Sequence, residues 1–123
     1  MSDIKICKAF CEYNEESDAI FIHDKKDYIY DSSIELENDI ILDYDHEGNP
    51  VAIEILNPSK IFKIPKNSLN DIVNFIAHVK VTEKLIQLEL TFDVYLNNEK
   101  QSFCFDSFIS NDVSLPDIEI KIS

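Results

Sequence analysis

The sequence has a single glycine, no arginine and only three cysteines among its 123 residues. One glycine, Gly48, argues against the glycine-rich loop that cradles nucleotide phosphates. The chain also lacks a nucleophile elbow, a histidine-rich metal spacing and a zinc pattern. These absences argue against an enzyme, and we expect no catalytic residue and no cofactor.

Long apolar runs are also missing. None approaches the length that crosses a membrane, and the N-terminus has no signal-like pattern. The three cysteines, Cys7, Cys11 and Cys104, have no CxxC spacing, which is typical of reduced thiols. We therefore expect a cytoplasmic protein that forms one domain over residues 1–123. Its acidic N-terminal half would span residues 1–66, and residues 67–123 would form a helix, a long hairpin and a C-terminal strand.

Acidic residues dominate the charge. The chain has 24 acids against 11 lysines, for a net charge of −13, and residues 1–60 hold 15 of the acids but only five of the lysines. Such a field repels nucleic acid and anionic membranes, so we expect neither as a direct partner. It favours a basic partner protein. The alternative is that the acidity only keeps the protein soluble.

A central hairpin is predicted by two runs rich in β-branched residues, 40–42 and 51–56. The acidic segment between them ends at Gly48, which can close a type I turn because glycine adopts the left-handed conformation without a Cβ clash. The expected cross-strand pairs are Asp45 with Asn49, Asp43 with Val51 and Ile41 with Ile53.

The same segment permits a metal-site interpretation. Asp43, Asp45, Glu47, Gly48 and Glu54 match positions of a calcium-binding loop, although that motif needs helical flanks and these flanks are strand-like. Asp43, Asp45 and Glu54 are therefore candidates for a carboxylate site that binds a divalent metal ion.

One helix is predicted near the middle of the chain. Ser68 can act as its N-cap with Asp71 three residues on, and an apolar face follows at helical spacing from Leu69 to Ile76. We expect an amphipathic helix over about residues 68–78 that packs on a sheet.

Strands dominate the last third. Residues 86–96 alternate strictly between apolar and polar side chains, residues 101–108 return as the second strand of a long hairpin, and Ile118–Ile122 forms a final short strand. That last strand could pair within the chain or with a second copy. The fold class predicted is α+β, an antiparallel sheet built from hairpins with one main helix.

Three segments resemble a known family. They are Tyr13-Asn14-Glu15-Glu16-Ser17-Asp18-Ala19-Ile20-Phe21-Ile22, Ser33-Ile34-Glu35, and the stretch from Ile40 through Gly48 to Ile53-Glu54-Ile55-Leu56-Asn57-Pro58-Ser59. They are similar in order and spacing to the motifs of the family of unknown function numbered 2283, also called YuzE-like, over roughly residues 13–59. Departures are Asn14 for the usual Asp, Ala52 for Gly and Pro58 for Ala.

The resemblance implies a small bacterial or archaeal cytoplasmic protein with an antiparallel sheet. It supplies no catalytic residues. Some members of the family are thought to accompany toxin-like partners, which suggests an antitoxin-like role.

Together these observations favour a non-enzymatic binding module that engages a basic partner, as an antitoxin-like or nucleic-acid-mimicking inhibitor. The acidic face would include Glu35, Glu37, Asp39, Asp43, Asp45 and Glu47. Aromatic anchors would be Tyr28, Tyr30 and Tyr44. The alternatives are a self-assembling structural protein, for example a homodimer, and the carboxylate metal site.

Overall fold

Ten β-strands make up most of residues 4–123, the part of the chain that a computed structural model describes. Their bounds are β1 Lys5–Cys7, β2 Ala9–Asn14, β3 Ala19–Asp24, β4 Tyr30–Leu36, β5 Ile40–Asp45, β6 Pro50–Leu56, β7 Val73–Val81, β8 Leu85–Leu96, β9 Glu99–Ser110 and β10 Ile118–Ile122. One short helix, α1, spans Pro58–Ile61, and a 3-10 helix spans Lys66–Asp71.

The strands form two five-stranded sheets. Sheet A has the order β1-β10-β7-β8-β9, and sheet B has the order β2-β3-β6-β5-β4. Pairing is antiparallel except between β1 and β10, which are parallel. The chain passes from sheet A to sheet B at Lys8, so sheet B consists of the contiguous segment 9–56.

Both sheets contribute to one hydrophobic core. Sheet B supplies Ile20, Ile22, Ile40, Leu42, Ile53 and Ile55, and sheet A supplies apolar residues of β7, β8 and β10, including Ile86, Phe92 and Ile122, all of them almost fully buried. Burying one such side chain stabilises the fold by about 1.5–3 kcal/mol. The inward residues alternate along each strand, as expected for sheets with one covered face.

The predicted helix at residues 68–78, and with it the α+β fold class, is wrong. The N-cap residue of the 3-10 helix is Pro65, so Ser68 lies inside this helix, which ends at Asp71, and β7 begins at Val73. From residue 75 the side chains alternate, with Ala77, Val79 and Val81 in the core. A strand here pairs on both sides, with β10 and β8, and this tertiary pairing overrides the local helical spacing. The fold is nearly all-β.

The central hairpin forms with the predicted turn. The Gly48 N–H donates to the Asp45 carbonyl at 3.0 Å, and Gly48 has a φ of 82°. Beyond the turn, however, Tyr44 pairs with Pro50 and Asp43 with Ala52, so Val51 is an extra residue. This β-bulge shifts the register by one, and the predicted pairs of Asp43 with Val51 and Ile41 with Ile53 are wrong.

The C-terminal strand β10 pairs within the chain, between β1 and β7. The Ala9 N–H donates to the Ser123 carbonyl at 2.9 Å, and the Ser123 N–H donates to the Cys7 carbonyl at 3.0 Å. The strand is therefore not available as a free edge. Within residues 4–123, no helix has the length and apolar character that a membrane span requires.

Candidate functional site

The outer face of sheet B brings together most of the acids that the sequence singled out. Because Ile20, Ile22, Ile53 and their inward neighbours point into the core, the alternating residues of the same strands point outward. Directly paired residues share a face, so the register defines rows across the sheet.

Two adjacent rows form the centre of this face. The first row runs across the sheet as Glu12, Phe21, Glu54, Ile41 and Glu35. The second row runs as Phe10, His23, Ala52, Asp43 and Ser33. At one end lies the exposed β4–β5 turn, which adds Glu37 and Asp39. We call these six carboxyl residues the acidic face: Glu12, Glu35, Glu37, Asp39, Asp43 and Glu54.

Two of these carboxyls, Asp43 and Glu54, interact. Asp43 is 6% exposed, and the side chain of Glu54 hydrogen-bonds to it. This hydrogen bond, together with burial and the repulsion between the two charges, raises the pKa of Glu54 to about 7 from the usual 4.5. A carboxylic acid that stays protonated near neutral pH can donate a hydrogen bond or release a proton in response to its surroundings.

Hydroxyl groups connect this pair to the surface. Ser33 donates a hydrogen bond to Asp43, and the hydroxyl of Tyr30 lies 2.7 Å from the Ser33 Oγ. Tyr28 lies near the pair as well: burial, and then the negative charges of Asp43, Asp24 and Glu54, raise its pKa. The buried carboxyl of Asp43 is therefore linked by hydrogen bonds to Tyr30, which is 57% exposed.

The remaining predicted residues lie apart from this centre. Asp45 is an acceptor within the β5–β6 turn, where its carboxylate receives the N–H groups of Glu47 and Asn49, each at 2.9 Å. Glu47 is exposed in that turn, at the opposite end of β5 from Glu37 and Asp39. Tyr44 packs against the core and accepts a hydrogen bond from Ser32 at 2.9 Å, so it is not a free anchor.

The predicted metal set is not assembled. Asp43 and Glu54 meet, but Asp45 caps its own turn. Over residues 4–123 no group of three or more His, Cys, Asp or Glu side chains is placed to hold a metal ion.

Two residues of the outer face of sheet B were not assigned to it from the sequence. Glu12 and His23 lie on neighbouring strands, with the His23 Nε2 3.3 Å from the Glu12 Oε2. The His23 ring also stacks on Phe21, with centroids 4.6 Å apart. The two-residue periodicity of β2 and β3 could have placed both on the outer face, but only the pairing shows that this face is shared with Glu54.

The outer face of sheet A provides a contrast. One of its rows runs Lys121, His78, Glu89 and Asp106, and the next runs Glu119, Lys80, Gln87 and Phe108. Both signs of charge occur there, and the His78 Nε2 lies 2.9 Å from the Glu119 Oε1. The two rows and adjoining turn of sheet B carry no lysine. The excess of acid is therefore concentrated on one side of the sandwich.

Comparison with known proteins links this sheet to a family. A family model described as "Protein of unknown function (DUF2283)" matches residues 11–59, which include almost all of sheet B. A protein of Methanosarcina mazei named "Putative hypoxanthine phosphoribosyltransferase" is 36% identical over 107 residues, which cover 85% of this chain and 84% of the relative. An uncharacterized protein of Methanocaldococcus jannaschii is 31% identical over 118 residues, covering 94% of this chain and 98% of the relative. No solved structure matches.

Proposed function

Because the chain belongs to the family of proteins of unknown function numbered 2283 (DUF2283), and the matched segment forms the sheet with the acidic face, we propose that it is a non-enzymatic binding module that engages a basic partner protein through this face. The observation that carries the proposal is the segregation of charge. The two rows of sheet B and the adjoining turn contain six carboxyl residues and no lysine, with Lys25 over the Phe10 ring at one end, against mixed charges on the outer face of sheet A. A one-signed face steers an oppositely charged protein and raises its association rate.

The spacing of the carboxyls suits a basic surface. Glu12, Glu54 and Glu35 lie in one row, each two strands from the next, and are therefore about 10 Å apart. This row of carboxyls, in which Glu54 gains its charge only as the pH rises through about 7, can occupy a channel that otherwise receives nucleic-acid phosphates. The proposed role is accordingly that of an antitoxin-like or nucleic-acid-mimicking inhibitor.

Apolar side chains between the acids can provide affinity. Phe21 and Ile41 alternate with the carboxyls in the same row and are half-buried, and Tyr30 stands exposed beside Ser33. Interfaces derive most of their binding energy from a few such desolvated residues, whereas rim charges mainly govern the rate and the salt dependence. Tyr30 is the best-placed aromatic anchor. The proposal includes a cytoplasmic location, which the three free cysteines favour.

The test uses charge reversal. A face variant carries Glu12→Lys, Glu35→Lys and Glu37→Lys, all exposed positions that leave Asp43 and Glu54 intact. A control variant carries Glu83→Lys, Glu89→Lys and Asp112→Lys, which change the net charge equally but lie outside the face.

The wild-type protein and both variants are immobilised at low salt and used to capture proteins from a lysate of the source cells. We expect the wild type and the control to retain one basic protein in stoichiometric amount, with release as salt rises, and the face variant to lose it. Equal retention by the face variant would contradict the proposal. A diffuse set of basic proteins on both variants would indicate that the charge serves solubility only.

A second candidate rests on a different observation and on the name of the Methanosarcina relative. A cleft of about 660 Å³ is lined by four of the eleven lysines, Lys5, Lys8, Lys25 and Lys26, together with Tyr28 and Ile29. Four acids, Asp24, Asp27, Asp45 and Glu47, also line it, and the carboxylates of Asp24 and Asp45 accept backbone N–H groups. Lysines beside aromatic and apolar side chains are the chemistry that a nucleoside monophosphate would need.

Calorimetric titration with hypoxanthine nucleoside monophosphate tests this enzyme-like alternative. Binding that is lost in Lys25→Ala/Lys26→Ala and kept in Lys60→Ala/Lys84→Ala would support it. No heat from the wild type would dismiss it and leave the binding module unaffected.

A further inference from the structure

Strand β9 presents a long free edge. It spans Glu99–Ser110, pairs with β8 over all 12 residues without a register shift, and is the last strand of sheet A. It contains no proline and only one lysine, Lys100. Apart from the charged residues Glu99, Lys100 and Asp106, this edge lacks the usual devices that block pairing with another chain.

The turn before β9 determines which backbone groups face this edge. Asn97 and Asn98 have φ values of 53° and 65°, as in a two-residue type I′ turn, so Leu96 and Glu99 form the hydrogen-bonded pair that closes the hairpin. Hydrogen-bonded pairs recur at every second residue. The groups that point away from β8 therefore belong to Lys100, Ser102, Cys104, Asp106, Phe108 and Ser110.

The other edges described in residues 4–123 are shorter or irregular. Strand β1 has three residues and β2 has six. Strand β4 has seven, with an irregularity between Tyr30 and Ser32. Strand β9 is thus the best edge for strand addition. Near its C-terminal end the Ser107 hydroxyl donates to the Glu37 carbonyl at 2.7 Å, so sheet B approaches β9 there and an incoming strand is best placed before Phe108.

We propose that β9 is the docking surface for a second copy of this chain, which adds its own β9 antiparallel about a two-fold axis at Phe103. In this register Lys100 of each copy lies opposite Asp106 of the other, which gives two ion pairs in the dimer. Ser102 of each copy lies opposite Cys104 of the other. All four are residues whose backbone groups point outward, so the pairing forms about eight hydrogen bonds. The two copies of sheet A become one continuous sheet.

Charge complementarity selects this register. Residues whose backbone N–H and C=O groups point away from β8 must lie opposite such residues in the other copy. The alternative registers therefore place the two-fold axis at another residue of β9. Moving it to Cys104 places Cys104 opposite itself, Lys100 opposite Phe108, and Asp106 opposite Ser102, which loses both ion pairs. Opposite charges directly across an antiparallel pair stabilise it, and like charges destabilise it.

The dimer and the acidic face respond to salt in opposite directions. Added salt also screens the two Lys100–Asp106 pairs, but these charges are close together. The repulsion between two copies that each carry a net charge of −13 acts over longer distances and is screened more, so the dimer tightens. Salt weakens the binding of a basic partner to the acidic face. The residues altered in the face variant are also absent from β9, so either proposal can fail while the other stands.

Cysteine cross-linking tests the register. Cys104 is free and exposed, and Ser102→Cys would place a second thiol opposite it in the other copy. We expect this variant to form a disulfide-linked dimer on mild oxidation, with the 102–104 linkage identified by mass spectrometry. Ser110→Cys, on the same strand but outside the pairing, should not cross-link. A wild-type Cys104–Cys104 linkage would overturn the register, and an uncross-linked Ser102→Cys would overturn the proposal.

Light scattering and sedimentation at 0.5 M salt supply a second measurement. Asp106→Lys places two lysines opposite each other twice, and we expect it to raise the dimer dissociation constant ten-fold or more. The variant should still fold, because Asp106 lies across from Glu89 in its own sheet. The exchange Lys100→Asp/Asp106→Lys should restore the dimer. A monomeric wild type at high protein concentration, or no rescue by the exchange, would refute the proposed pairing.

Discussion

Replacing Glu54 by glutamine (Glu54→Gln) should remove a pH dependence of stability that the carboxyl pair creates. The pKa of Glu54 is about 7 in the folded protein and 4.5 ordinarily. A carboxyl whose folded pKa is raised stabilises the fold fully below pH 4.5, and this contribution is lost as the pH rises through about 7. The free energy of unfolding should therefore fall between pH 5 and 8 because of this pair.

The magnitude follows from the interval between the two values. At about 1.4 kcal/mol per pH unit, an interval from 4.5 to about 7 corresponds to about 3.5 kcal/mol. Glu54 is partly exposed, and water screens its interaction with Asp43, so we expect about 1–2 kcal/mol. Glutamine keeps a donor for Asp43 but carries no proton to lose. The variant should be about as stable as the wild type at pH 5 and more stable by this amount at pH 8.

Urea unfolding at half-unit steps from pH 5 to 8 measures the effect as the difference between variant and wild type. The subtraction removes the contributions of His23, His46 and His78, which both proteins share. Glu89→Gln, an exposed carboxyl on the outer face of sheet A, is the matched control and should give a difference that does not vary with pH. Parallel curves for Glu54→Gln and the wild type would refute the raised pKa of Glu54.

Two further predictions concern the scaffold around the face. Gly48→Ala should lower the free energy of unfolding by more than 1 kcal/mol, because Gly48 has a φ of 82° and an added Cβ would lie 2.7 Å from the Pro116 Cδ. Chemical denaturation measures this loss of stability, and an unchanged midpoint would contradict the turn geometry. Asp18→Asn should cost about 1–3 kcal/mol at pH 7, because the buried carboxylate accepts hydrogen bonds from Tyr13 at 2.8 Å and Ser59 at 2.6 Å. Burial acts to raise the pKa of Asp18, but these hydrogen bonds outweigh burial and lower the pKa. The free energy of unfolding of the wild type should therefore fall below about pH 4, and the variant should lack this pH dependence. The same dependence on acid pH in both proteins would contradict this role of Asp18.

The hairpins could be predicted from the sequence because their determinants are local. The alternation over 86–96 and the glycine that closes the turn at Gly48 do not depend on distant residues. The strand β7 could not be recognised from the apolar spacing of Leu69, Ile72 and Ile76, which fits a helix. The competing alternation of Ala77, Val79 and Val81 was also present, but only pairing with β8 and β10 favours it.

The acidic face was predictable in part. Glu35, Glu37, Asp39 and Asp43 were identified from composition, and all four lie on or beside the outer face of sheet B. Asp43 and Glu54 were grouped only as candidate metal ligands. The predicted register placed them on opposite faces of the hairpin, because no turn residue marks the bulge at Val51 that brings them onto one face. Glu12 was missed because it lies on β2, the edge strand that β3 and β6 separate from β5 and β4. This strand order cannot be inferred from the spacing of residues in the sequence.

The division of the chain between the two sheets bears on what the shared family segment can do by itself. Residues 11–59 contain the strands of sheet B, whose inner face carries Ile20, Ile22, Ile40, Leu42, Ile53 and Ile55. A polypeptide of this segment alone would leave half of a core open to water. In this protein residues 73–122, with the short strand β1, cover that half, whereas a shorter chain would have to obtain its cover from another molecule. The family segment is thus one sheet that needs a second layer to cover its apolar inner face, and in this protein the same chain provides that layer.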